Sequence, residues 1–235
     1  MVKFLVCALF YGDFPQIAQR CALTLRSIRA TGKVDMRIGL NEVSRTTREV
    51  IDAALPGVDL IEANPQIYKF PMMRRLVHEY RGDATHLMWF DDDTCLHPGT
   101  QAVTWLASVA MRAERTQGSL GSTYKQRLTP RQHDWIREQR WYTGRELPDE
   151  IVFNTGGWVV VPLALLRRWD WPGPELAHNG GDMVLGALLL QQGLPVEQFR
   201  VGLAINADDQ LRESAAKRRG YVDPQGSVWH DRNGI

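Results

Sequence analysis

The sequence predicts an α/β fold in a single domain, with a mixed, mainly parallel central sheet flanked by helices. Three observations carry this. Strand-length apolar runs alternate with stretches of helical period through the first 100 residues. The chain has 235 residues, 44% hydrophobic and 23% charged, enough to bury a core without staples. No apolar run approaches the roughly 18–20 residues that a bilayer span needs, so no membrane span is expected.

Val2–Phe10 reads as a buried strand, because it is continuously apolar. Pro15–Thr31 reads as a helix with Ile17, Cys21, Leu25 and Ile28 on one stripe. Met36–Leu40 and Val58–Ala63 are strands, with Thr46–Leu55 a helix between them. Pro71–Tyr80 reads as a helix opening on a proline at its first position. Leu87–Phe90 is a fourth strand and runs straight into three aspartates. Thr100–Thr116 is a long amphipathic helix. This β-α-β-α order implies parallel strands joined by right-handed crossovers.

The second half is less regular. Leu120–Tyr124 and Trp158–Val161 read as strands, Leu163–Arg168 as a short helix, Met183–Gln192 as a clear helix and Val196–Phe199 as a last strand. Residues 125–150 are polar, basic and aromatic, with breaks at Pro130 and Pro148. Neither a repeat nor a linker divides the chain. Residues 1–100 are expected to form a nucleotide-binding half and 101–235 an acceptor-binding half of one domain.

Composition narrows the partners. Charge is balanced, 28 basic against 27 acidic, which excludes disorder as the main state and argues against strong non-specific DNA affinity. Of the basic residues 23 are Arg, a side chain that pairs phosphate bidentately, though base composition of the gene explains such a bias equally well. The three cysteines, Cys7, Cys21 and Cys95, form neither a zinc pattern nor a disulfide framework. With an N-terminus unlike a signal peptide, a reducing, cytoplasmic setting is expected. Oligomeric state is unreadable.

The sharpest signal is Trp89-Phe90-Asp91-Asp92-Asp93-Thr94, an apolar strand ending in three carboxylates. Ligands of open α/β sheets bind beyond the carboxyl ends of strands. Crowded carboxylates there call for a divalent cation, and hard oxygen donors favour Mg2+ or Mn2+ completed by substrate phosphates. In an extended segment Asp91 and Asp93 would point to one side. A solvated acidic turn or a helix N-cap is the plainer reading. Lys69, Arg74 and Arg75 lie near a helix N-terminus, where basic side chains suit a pyrophosphate; one of the two arginines, Arg75, is preferred.

With these residues in view, the chain resembles the GT-A class of nucleotide-sugar glycosyltransferases. The resemblance rests on Phe90-Asp91-Asp92-Asp93-Thr94 as the strand-D-x-D element, Phe153-Asn154-Thr155-Gly156-Gly157-Trp158 as a Gly-Gly turn before a strand, Asn179-Gly180-Gly181-Asp182 opening a helix, and the near-terminal His230. Within that class it is similar to small glycosyltransferases of tailed bacteriophages, through Leu9-Phe10-Tyr11-Gly12-Asp13-Phe14-Pro15 and Lys69-Phe70-Pro71-Met72-Met73-Arg74-Arg75. Members of that group are associated with sugar addition to hydroxymethylated pyrimidines in DNA.

The resemblance implies the following roles. Asp93 and Asp91 ligate the metal, with Asp91 also able to hold a ribose and Asp92 assisting or turned away. His230 is a further ligand, which tilts the choice toward Mn2+. Tyr11 and Asp13 contact the nucleobase of a nucleoside-diphosphate sugar, UDP-linked in the first instance, with Asn41 beside them. Asp13 reads equally as a helix N-cap. Lys69 and Arg75 meet the diphosphate. Gly156 and Gly157 wall the donor sugar, and Trp158 is either its platform or a core residue. Asp182 is the general base of an inverting transfer, against its plain reading as an N-cap. Many inverting relatives have two acidic residues where this chain has Gly181-Asp182, so the stereochemical outcome stays open.

The expected function is metal-dependent transfer of a sugar to a hydroxyl, that of a 5-hydroxymethylpyrimidine in DNA. Residues 124–145 support the DNA acceptor, since Lys125, Arg127, Arg131, Arg137, Arg140 and Arg145 interleave with Tyr124, Trp135, Trp141 and Tyr142, and Lys217-Arg218-Arg219 adds charge. An amphipathic helix with a solvated face explains the same pattern. Alternatives are a surface-glycan or protein acceptor, a metal-dependent phosphohydrolase or nucleotidyltransferase, and a non-catalytic binding module. His133, His178 and Asn179 read as exposed or as acceptor contacts.

Overall fold

The computed structural model describes residues 2–176, 180–205 and 207. Its elements are β1 (Phe4–Gly12), α1 (Pro15–Arg29), β2 (Val34–Val43), α2 (Arg45–Ala54), β3 (Asp59–Ala63), α3 (Lys69–His78), β4 (His86–Asp91), β5 (Cys95–Leu96), α4 (Ala102–Arg115), β6 (Ser119–Arg127), α5 (Pro130–Arg137), β7 (Glu150–Pro162), α6 (Leu163–Trp169), α7 (Gly181–Gln191), β8 (Val196–Gln198) and β9 (Leu203–Ala204). Seven strands form one sheet in the order β3-β2-β1-β4-β7-β6-β8. The first four run parallel. β7 is antiparallel to β4 and to β6, and β8 returns parallel to β6. The mixed, mainly parallel sheet is therefore as the sequence predicts.

Strand alternation divides the core in two. Phe4, Val6, Ala8 and Phe10 of β1, with Met88, Phe90, Trp158 and Val160, meet α1, α2 and α4 on one face. Leu5, Cys7 and Leu9, with Leu87, Trp89, Val159 and Val161, meet α3, α6 and α7 on the other. α7 buries residues all round from Met183 to Leu189, as a helix sealed inside a fold must. No described helix is long and apolar enough to cross a membrane.

Several elements differ from the sequence reading. α3 begins two residues early, at Lys69, so Pro71 is its third residue rather than its first. That position still lies in the first turn, where a missing N–H costs no intrahelical bond. β7 is 13 residues long and runs straight through Gly156-Gly157, so this pair is strand interior and not a turn. α5 forms within residues 125–150, as the amphipathic-helix reading of that segment allows, started by a reciprocal cap between Thr129 and Gln132. The short β5–β9 ribbon, pairing Cys95 with Ala204, was not expected.

Candidate active site

The site lies where β4 ends. Residues 91–94 do not stay extended: the Thr94 N–H donates to the Asp91 carbonyl at 3.0 Å, closing a turn over Asp92 and Asp93. The turn, not strand alternation, thus sets where Asp93 points. Asp92 is buried, 3% exposed, under this turn. The register Phe90↔Trp158 brings Gly156-Gly157 of β7 alongside, and the Thr94 hydroxyl donates to the Gly157 carbonyl at 2.8 Å.

Asp91 is held on two sides. Trp89, two residues earlier and so on the same face, donates its indole N–H to Oδ1 at 2.7 Å. Lys69 Nζ, from the first residue of α3, meets Oδ2 at 2.8 Å and also the Gly156 carbonyl at 3.1 Å. The Gly156 N–H donates to Asp182 Oδ2 at 2.7 Å. One glycine therefore joins the Lys69–Asp91 pair to Asp182. A Cβ there would lie 2.8 and 2.9 Å from the Asp182 oxygens and would also strike Lys69 Nζ. Only glycine lets the three groups converge.

Electrostatics follow from this packing. Burial raises the Asp182 pKa above the usual carboxylate range; Lys69 opposes the shift, while the charge of Asp91 adds to it. Burial alone would lower Lys69, but the charges of Asp91 and Asp182 outweigh it and hold the ammonium above its ordinary value. Asp182 is the second residue of α7. Gly180, at φ +80°, occupies the N-cap position, so the N-cap reading of Asp182 is corrected.

The donor set of the turn is hard oxygen, suited to Mg2+ or Mn2+. Among the described residues no three His, Cys, Asp or Glu side chains gather to hold an ion alone. Since both Asp91 oxygens are engaged, Asp93 is the nearer candidate ligand. This fits a cation that takes most of its ligands from substrate phosphates and water. His230, Lys217-Arg218-Arg219, His178 and Asn179 lie outside the described residues.

Other predicted residues sit further out. Tyr11 pairs with Asn41 across β1 and β2. Asn41 is buried, and its side-chain oxygen accepts from the Ile67 N–H at 2.8 Å, stitching the end of β2 to the loop before α3. Tyr11 stacks edge-on against Phe14. Asp13 accepts from the Ser44 hydroxyl at 2.5 Å and does not cap α1, whose N-cap is Phe14. Arg75 is apart from Lys69: it contacts the Glu62 carbonyl at 3.3 Å and Glu79 at 3.5 Å. Arg74 pairs with Asp170 at 2.8 Å. Both arginines border one cavity of 460 Å³ beside Tyr68.

Trp158 is corrected as a sugar platform. Its side chain is fully buried and packs among Phe90, Trp105 and Phe199. The aromatic residues of the basic segment are corrected likewise. Trp141 is buried, Trp135 and Tyr142 pack against the same core, and only Tyr124 is exposed. Arg127, Arg137 and Arg140 pair with Asp149, Asp134 and Asp170, and Arg145 bonds the Leu190 carbonyl. Trp89, Thr94 and Thr155 stand in the motifs the sequence offers but carry no role there; the i, i+2 spacing of Trp89 and Asp91 was the one available signal.

No protein-family model matches the chain, and comparison with curated proteins gives no match. Solved structures do. The mannosyltransferase PcManGT of Pyrobaculum calidifontis, solved with GDP-Man and Mn2+, aligns over 84% of this chain with a TM-score of 0.55 at 12% identity. TarS of S. aureus aligns over 84% with a TM-score of 0.51 at 11% identity. This chain spans 54% of the first and 35% of the second. The likeness is one of fold: a mixed α/β sheet of the GT-A glycosyltransferase type.

Proposed function

We propose that the protein is a metal-dependent glycosyltransferase that moves a sugar from a nucleoside-diphosphate sugar to a hydroxyl acceptor. The observation that carries this is the chain Asp91–Lys69–Gly156–Asp182 at the carboxyl edge of the parallel strands. It sets one cation, one turn of carboxylates and one carboxylate of raised pKa around a single glycine.

Asp93, with Asp91 in support, would hold the cation, which neutralises charge on the departing diphosphate. Lys69 supplies a fixed positive charge at the same place. Asp182, at the positive end of α7, takes the proton of the acceptor hydroxyl as the oxygen attacks the anomeric carbon. Gly156 fixes the angle of that carboxylate through its N–H. Tyr11 would contact the nucleobase, and Asn41 and Asp13 act through the Ile67 N–H and Ser44 to shape that loop.

Donor binding and transfer are separable. Asp93→Ala should abolish Mn2+-dependent binding of nucleotide sugars in calorimetry, whereas Asp182→Asn should bind donor and fail to transfer. Donor affinity unchanged by Asp93→Ala contradicts the assignment. For the acceptor, the hydroxymethylpyrimidine of DNA keeps Tyr124, Lys125 and Arg131 in its support, because these stay exposed. Mass spectrometry of DNA carrying 5-hydroxymethylcytosine or 5-hydroxymethyluracil, beside a glycan acceptor, decides it; sugar added only to the glycan sinks the DNA acceptor.

A further inference from the structure

A polar cavity of 350 Å³ opens at Thr155, the residue before the Gly156 that bonds the proposed base, between β6–β7 and the β5–β9 ribbon. His97, Ser122, Tyr124, Thr155 and Arg200 line it, and no described carboxylate does. Ser122 and Tyr124 share a face of β6, and Ser122 is 7% exposed. Thr155 precedes Gly156, whose N–H holds Asp182. The His97 N–H bonds the Gly202 carbonyl at 2.8 Å, which fixes its loop against the one that carries Arg200.

None of these five side chains has a side-chain partner among the described residues. The Thr155 hydroxyl is buried with no hydrogen bond at all. A buried hydroxyl left unsatisfied costs about 1–3 kcal/mol unless something outside the chain bonds it. The walls offer a guanidinium, an imidazole and three hydroxyls, which are donors with a net positive charge. Such a set matches a phosphate group, with the guanidinium taking two of its oxygens.

We propose that this cavity binds a phosphate group carried by the acceptor substrate and so fixes the acceptor beside Asp182. The proposal rests on the glycosyltransferase reading for its place in the reaction, but the binding itself does not. The site makes the acceptor an anionic compound whose reactive hydroxyl lies a short way from a phosphate.

The test titrates the full chain with inorganic phosphate in a calorimeter, with and without UDP or GDP and Mg2+. One phosphate should bind in the presence of nucleotide. Arg200→Ala and Thr155→Val should each weaken it about tenfold, while Arg115→Ala, at an exposed position outside the cavity, should leave it unchanged. All three variants should bind nucleotide like the parent. Equal phosphate affinity in every variant, or no phosphate binding by the parent, overturns the proposal. Absence of nucleotide binding by the parent overturns the donor reading instead, and the Arg200 dependence of phosphate binding then still stands or falls by itself. Displacement arms use a phosphodiester-linked dinucleotide and a sugar phosphate. Displacement by either supports the site and identifies the source; displacement by neither counts against it.

Discussion

Lys69 and Asp91 stand 2.8 Å apart, although 22 residues separate them, and their side chains are only 13% and 26% exposed. The pair joins the start of α3 to the end of β4. Removing one partner from a pair this enclosed leaves a charge without its counter-ion, which costs about 3 kcal/mol in well-buried cases and less here, where water still reaches it. Lys69→Met should therefore lower stability by about 2 kcal/mol and raise the donor Kd at least about tenfold. Combining it with Asp91→Asn should recover part of the stability and none of the donor affinity. Chemical denaturation and calorimetry measure the two effects; full recovery of donor binding in the double variant would refute the role of Lys69 at the diphosphate.

Asp182 gives a pH signature. Burial holds its folded pKa above the ordinary carboxylate value. A base works only when deprotonated, so kcat/KM should fall as pH drops through that raised value, with the acidic limb displaced upward from that of a free carboxylate. Its contribution to stability has the opposite sense. It is fully present below the unfolded carboxylate pKa and is lost as pH rises through the raised folded value. Asp182→Asn should cut kcat by about 10²–10⁴-fold and flatten both dependences. An unchanged acidic limb in any residual activity of this variant would assign the limb to another group.

Trp158 separates a packing role from a sugar platform. Its indole N–H is buried without a hydrogen bond, so its contribution is mainly volume and ring contacts. Trp158→Phe sheds the unsatisfied donor while losing part of the volume. It should cost about 1–2 kcal/mol, against about 3–5 kcal/mol for Trp158→Ala. Donor KM should stay unchanged in Trp158→Phe. A large rise in KM at little cost in stability would return Trp158 to the sugar site.

The alternation that gives the parallel half was legible because each strand there is a short apolar run bounded by helical periodicity. Asp91 was legible as the end of the fourth strand for the same reason, since it closes such a run. Local pattern could not supply the tertiary pairings. Nothing in sequence places Lys69 on Asp91, and the Thr94 turn overrides the alternation expected for Asp91 and Asp93. Gly156-Gly157 looked like a turn because glycine usually punctuates. The strand tolerates the pair, and at Gly156 glycine is required, because side chains from α3 and α7 crowd that point. Trp135 and Trp141 resembled a stacking surface only because sequence does not report which side of α5 and of the turn after it meets the core.

Gly156 provides the most local test of the site. A methyl group there has no room between Lys69 and Asp182. Gly156→Ala must push one of them away, and Lys69 is tied to Asp91, so Asp182 and the start of α7 give first. Overpacking of this kind costs about 1–3 kcal/mol. The Gly156 N–H would then no longer hold the Asp182 carboxylate in place. Transfer should drop by at least about a hundredfold, as for a misplaced base, while Mn2+-dependent donor binding at Asp93 persists with a Kd within about threefold of the parent. A crystal structure or a donor titration of the variant checks this. Loss of donor binding in proportion to transfer would mean that Gly156 shapes the diphosphate site, through the Lys69 that its carbonyl holds and not through the Asp182 that its N–H holds.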